Sequence, residues 1–90
     1  MTKTKLLIGS LSNDLYRAAG MIQRGSIAGA KRFLEEAERW TVDSRSMTVK
    51  PYIRKIIKDV NADHKKLDMA LAEKYLMYSV LLQNYALHLE

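Results

Sequence analysis

Residues 18–30 read AAGMIQRGSIAGA, and this stretch decides the fold. Apolar residues recur at helical spacing on both sides of it, and the spacing is interrupted at residues 24–26. Gly25 suits the left-handed position that ends a helix, and Ser26 is a residue type that caps the start of the next one. A junction this short predicts an antiparallel helical hairpin.

Two predicted helices flank the junction, one over residues 6–24 and one over residues 27–42. Folding the chain about Gly25 sets residues 18–20 against residues 28–30, and these small residues predict a close approach of the two backbones. The residues expected to face the core are Ile8, Leu11, Leu15, Ala18 and Ile22 in the first helix and Ile27, Ala30, Phe33, Leu34, Ala37 and Trp40 in the second.

The C-terminal half begins with a polar stretch, residues 41–50, which predicts a connection, and Pro51 suits the first turn of a third helix. Beyond Pro51 there is neither Gly nor Pro, so a single helix of about 38 residues, roughly 57 Å long, is one interpretation. The favoured alternative is a break near residues 61–63, with Asn61 or Asp63 capping a fourth helix of about 25 residues. Half of a single long helix would need a second subunit to cover it.

The composition agrees with an all-α fold, a small helical bundle. The chain has 90 residues, of which 48% are hydrophobic, and no Cys. This length predicts one soluble domain over residues 1–90, and a chain without cysteine has no disulfide or thiol chemistry.

The sequence lacks the roughly 18 apolar residues of a membrane span, and its first apolar run is too short for a secretory signal. We therefore expect a cytoplasmic protein with no membrane partner. Separately, residues 89–90 resemble a cloning scar.

An excess of apolar residues in the last helix predicts self-association. Residues 75–82 are apolar on every side apart from Ser79, and a helix that is apolar all round must be covered all round. Because each helix of a small monomeric bundle keeps one face in water, we expect a two-fold homodimer packed through this helix. The alternative is that the tyrosine hydroxyls reach solvent and only the aliphatic side chains are core. The residues predicted to form the interface are Leu71, Tyr75, Met77, Tyr78, Leu81, Leu82 and Tyr85.

The positive charge is concentrated in residues 45–66, which hold seven basic residues against two acidic ones, while the whole chain has a net charge of +5. Such a patch attracts phosphate backbones and other anionic partners, although a solvated helix face has a similar composition. The residues predicted for an anionic partner are Lys50, Arg54, Lys55, Lys58, Lys65 and Lys66.

Catalytic chemistry has little support in the sequence. His64 and His88 are too far apart for a helical metal motif, and no phosphate-binding loop or nucleophile motif occurs. His64 and Asp68 are one helical turn apart and could form a carboxylate-oriented base, but an exposed histidine bonded to a neighbour has the same pattern. We predict no catalytic residue, cofactor or metal. The expected function is non-enzymatic protein–protein interaction, and the alternative is a nucleic-acid-binding module without sequence specificity.

Overall fold

The computed structural model describes residues 2–62 and 66–89. Within these ranges the helices are α1 (Lys3–Gln23), α2 (Ile27–Asp43), α3 (Pro51–Asn61) and α4 (Met69–Leu87), and a 3₁₀ turn at Ser44–Ser46 follows α2. No strand occurs among the described residues, so the predicted all-α bundle is confirmed.

The hairpin turns where the sequence predicts. Gly25 has φ of +81°, its N–H donates to the carbonyl of Ile22 (3.0 Å), and the N–H of Ser26 donates to the carbonyl of Met21 (2.8 Å). These bonds satisfy carbonyls at the end of α1, as expected for a helix ended by glycine. The Ser26 side chain makes no capping hydrogen bond, so that part of the prediction is wrong. α1 starts at Lys3, earlier than predicted, because the Thr2 hydroxyl accepts a hydrogen bond from the N–H of Lys5 (3.1 Å).

α1 is the helix around which the core is built, because it packs along both α2 and α4. Leu15, Ala18 and Ala19 have no exposed surface. α3 closes the bundle by contributing four buried side chains, Ile53, Ile56, Ile57 and Val60. The prediction that Ile27 belongs to the core is wrong, since this residue lies in the first turn of α2 and is 39% exposed.

The small residues predicted to meet in the hairpin are buried in part, and Ala28 is exposed. Ala19 and Ala30 are fully buried. A Cβ placed on Gly29 would lie 3.0 Å from Sδ of Met21 in α1, which is shorter than an ordinary contact. Gly20 has open space instead. Among these small residues, Gly29 is the one at which a larger side chain would crowd α1.

The C-terminal half is broken at the predicted place, and the single long helix is excluded because α3 ends at Asn61 and α4 begins at Met69. Asp68 caps α4, since its Oδ1 accepts a hydrogen bond from the N–H of Leu71 (3.0 Å). The predicted cap Asn61 has a different role: its Oδ1 lies 2.7 Å from the Thr41 hydroxyl and ties the end of α3 to α2. The other predicted cap, Asp63, lies outside the described residues.

Three glycines provide a stability test of the hairpin. Gly25→Ala is expected to lower the free energy of unfolding by about 1 kcal/mol, because an L residue is strained at positive φ. Gly9→Ala and Gly20→Ala are expected to raise it by about 0.5–1 kcal/mol each, because both lie inside α1 and an added Cβ meets nothing within 4 Å. Urea denaturation of the three variants measures these changes. A stabilising Gly25→Ala would contradict the left-handed turn.

Candidate functional site

The most unusual surface of the molecule is the side of α4 that points away from the bundle, which we call the outer face of α4. It carries large apolar residues in water, with Met77 55%, Val80 58% and Leu87 61% exposed. No charged residue occurs between Lys74 and His88. A solvated helix of this length usually carries charged side chains, so this face is apolar beyond what solubility requires. The residues of the outer face are Glu73, Met77, Val80, Leu81, Asn84, Leu87 and His88, all of them exposed.

Most of the residues predicted to form the interface do not lie on the outer face of α4. Leu71, Tyr75 and Leu82 are buried in the core of the single chain, so they are not available to a second copy. Tyr78 and Tyr85 are half-buried and bind α3. The two predicted residues that the structure leaves exposed are Met77 and Leu81.

Tyr78 belongs to a polar cluster that joins α4 to α3. Its hydroxyl donates to Oδ2 of Asp59 (2.7 Å), and Nζ of Lys74 forms an ion pair with the same oxygen (2.8 Å). Burial, and then the hydrogen bond to Asp59, raise the pKa of Tyr78 well above its ordinary value. The phenol therefore stays protonated and acts as a structural donor.

Tyr85 makes the second connection between α4 and α3. Its ring meets that of Tyr52 edge-on, with centroids 6.0 Å apart, and its hydroxyl accepts a hydrogen bond from the N–H of Lys50 (3.3 Å). Tyr78 and Tyr85 are thus partly buried and use their hydroxyls inside the chain, as aromatic residues with a polar tip commonly do.

Sequence reasoning missed four exposed residues beside or within the outer face of α4. Val80 and Leu87 belong to the face itself, Tyr16 of α1 lines the same surface groove as Val80, and Tyr52 of α3 lines the same groove as Leu81. Helical spacing could have found Val80, because it lies on the same side as Met77 and opposite the buried residues. Tyr16 and Tyr52 lie far away in sequence, and only the packing of α1 and α3 brings them here.

Most residues of the predicted basic patch that the structure describes are exposed. Lys50, Lys55, Lys58 and Lys66 are exposed, whereas Lys65 lies outside the described residues. Arg54 is not available to a partner in the way the other basic residues are. Its guanidinium donates to the carbonyls of Ser44 (3.2 Å) and Met47 (2.5 Å) and so holds the connection before α3 in place. Charge reversal at Arg54 would therefore disturb the fold and cannot test binding.

A cavity of about 650 Å³ lies between α2, residues 60–62 and residues 66–68. Its apolar wall includes Leu34, Val60 and Tyr75. Groups of both signs surround it, since Lys31 and Lys66 lie there together with Glu35, Glu38 and Asp68. This lining shows no preference for the charge of a ligand.

The candidate catalytic pair is not supported by the described residues. The Asp68 carboxylate caps α4 by accepting a hydrogen bond from the N–H of Leu71. The other member of the pair, His64, lies outside the described ranges. Over residues 2–62 and 66–89, no group of three or more His, Cys, Asp or Glu residues could hold a metal ion. No helix in this part of the chain is long and apolar enough to cross a membrane.

Comparison with known protein families, with curated proteins and with solved structures gave no significant match.

One buried acidic group lies in the hairpin. Asp14 of α1 is 3% exposed, and its Oδ2 has no hydrogen-bond partner. Burial, with the neighbouring carboxyl of Glu36, raises the pKa of Asp14 from 3.8 to about 7, while Trp40 and Arg17 act in the opposite direction. Near neutral pH the hairpin thus contains a carboxyl group that is only partly ionised.

The stability of the protein should therefore depend on pH through Asp14. Because its pKa is higher in the folded state than in the unfolded chain, the folded state binds the proton more tightly and loses stability as the pH rises from about 4 to about 7. Asp14→Asn removes this dependence, so its stability relative to the parent should increase by about 4 kcal/mol between pH 4 and pH 8. Urea denaturation across this pH range measures the difference.

Asp43→Asn is the matched control, because Asp43 is exposed at the end of α2. It should leave the pH profile of stability unchanged. A profile of Asp14→Asn that runs parallel to that of the parent would show that Asp14 titrates alike in both states.

Proposed function

We propose that this protein acts by protein–protein interaction and that its first partner is a second copy of itself, bound through the outer face of α4. The observation that carries the proposal is the exposure of Met77, Val80 and Leu87 on a helix side without charge between Lys74 and His88. Burying such side chains against a partner removes apolar surface from water, at about 25 cal/mol for each Å². The role is non-enzymatic, and the cytoplasmic location stays a prediction from the sequence.

Charge explains why a second copy fits this face. The chain has a net charge of +5, so two copies that meet through a basic surface repel each other. The outer face of α4 is a surface where two copies can meet with little repulsion. Tyr16 and Tyr52 border it on either side and extend the apolar area. Aromatic residues of this kind are enriched in interfaces.

The test is the molar mass of the protein in solution. We expect light scattering at about 100 µM to give the mass of a dimer, because an interface worth about −8 kcal/mol has a dissociation constant of about 1 µM and is mostly associated at this concentration. Val80→Glu should give a monomer with unchanged helical circular dichroism, since the side chain is exposed and lies at the centre of the outer face.

Val42→Glu is the matched control. Val42 is 54% exposed, close to the 58% of Val80, but it lies on α2. The control should remain a dimer. A parent protein that is monomeric at this concentration contradicts the proposal, and so does a Val80→Glu variant with the mass of a dimer.

A second candidate function, binding to nucleic acid, is favoured by one group of residues on α3. Tyr52 is 44% exposed and lines a groove of about 410 Å³ together with Lys55 and Lys74. The one acidic residue of α3, Asp59, is paired with Lys74, so it does not offset the exposed lysines. Lysines bind phosphates and an exposed tyrosine ring can stack on a base, a combination typical of single-strand binding without sequence specificity.

Salt dependence tests this second candidate. A fluorescent single-stranded oligonucleotide of mixed sequence should bind with an affinity that falls steeply with salt, with a logarithmic slope of about −3 for four or five phosphate contacts. Lys55→Glu combined with Lys58→Glu should abolish binding, whereas Lys31→Glu on α2 should have little effect. Salt-independent binding, or none at low salt, would eliminate this candidate.

A further inference from the structure

The outer face of α4 has a definite order along the helix. Its centre line passes through Glu73, Met77, Val80, Asn84 and His88, which are spaced by four, three, four and four positions. This spacing keeps all five on one side of an α-helix. The acidic residue is near the start of α4, and the histidine caps its end.

The charges at the two ends distinguish the two ways in which a second copy can pair. If the helices ran parallel, each Glu73 would face Glu73 of the second copy, and the helix dipoles would repel each other. If they run antiparallel, Glu73 faces His88 of the second copy at both ends. Nδ1 of His88 lies 2.7 Å from the carbonyl of Asn84 and carries the proton of this hydrogen bond, so Nε2 can donate to a carboxylate when the ring is protonated to imidazolium.

We propose that two copies pair through α4 in antiparallel orientation, about a two-fold axis between Val80 and Leu81, with Glu73 of each copy bound to His88 of the other. This inference rests on the proposed homodimer and adds its register. The same axis brings Met77 of one copy opposite Asn84 of the other. The apolar centre is then closed at each end by a charge-assisted hydrogen bond.

Disulfide trapping tests the register directly, because the chain contains no cysteine. Met77→Cys and Asn84→Cys are prepared as separate proteins that differ in mass by a tag, and are then mixed and oxidised. A disulfide requires Cα atoms within about 7 Å. In the antiparallel register the mixed pair meets this limit, whereas two copies of either variant place their cysteines roughly 10 Å apart along the helix.

The expected result is a cross-linked product that contains one Met77→Cys chain and one Asn84→Cys chain, with little product from either variant alone. Self-linking of Met77→Cys without the mixed product would overturn the register and indicate parallel helices. Val80→Cys lies near the proposed axis and should link to itself, and Val42→Cys on α2 should not link.

These outcomes separate the register from the dimer itself. If the parent is a monomer by light scattering, the proposed function fails. If the parent is a dimer and Val80→Cys links to itself while the mixed product is absent, the dimer stands and the register fails.

A charge exchange gives a second readout. Glu73→Arg should raise the dissociation constant of the dimer about tenfold, because it removes at both ends the carboxylate that accepts from His88. The double variant Glu73→Arg, His88→Glu should restore the parent value. A double variant that dissociates as readily as Glu73→Arg would contradict the pairing of Glu73 with His88.

Discussion

The position of α1 between α2 and α4 is the constraint on which the rest of the structure depends. Helices α2 and α4 cover two sides of α1. As a result, no surface is exposed at Leu15, Ala18 or Ala19. α4 therefore uses one face to cover α1, and α3 binds its flank through Tyr78 and Tyr85. No other helix of the described chain is left to cover the opposite side of α4. The exposed apolar face follows from the number of helices and their order.

The tyrosines explain how a helix so rich in apolar residues fits a small bundle. Tyr75 fills the core and has no exposed surface. Tyr78 and Tyr85 bury their rings between α3 and α4 and place their hydroxyls on Asp59 and on the N–H of Lys50. The apolar excess left for a partner is therefore smaller than the composition indicates, and it is confined to one side of α4.

The candidate interface could be predicted only in part, because α4 is apolar on two opposite faces. Leu71, Tyr75 and Leu82 share one face, and Met77 and Val80 share the other. Helical periodicity finds both faces equally well and does not tell which one packs on α1. Arg54 shows the same limit, since its sequence neighbours are basic and exposed while its own guanidinium binds carbonyls of the preceding connection.

The sequence by itself determined the all-α class and two features that depend on local backbone conformation, the turn at Gly25 and the start of α3 at Pro51. Glycine and proline restrict or permit particular backbone angles whatever surrounds them, so these signals are readable from a short stretch. Only the tertiary structure decided that α3 ends at Asn61 instead of continuing into α4, which face of α4 is core and that Asp14 is buried beside Glu36. Those outcomes depend on contacts between residues distant in sequence, and no local pattern records such contacts.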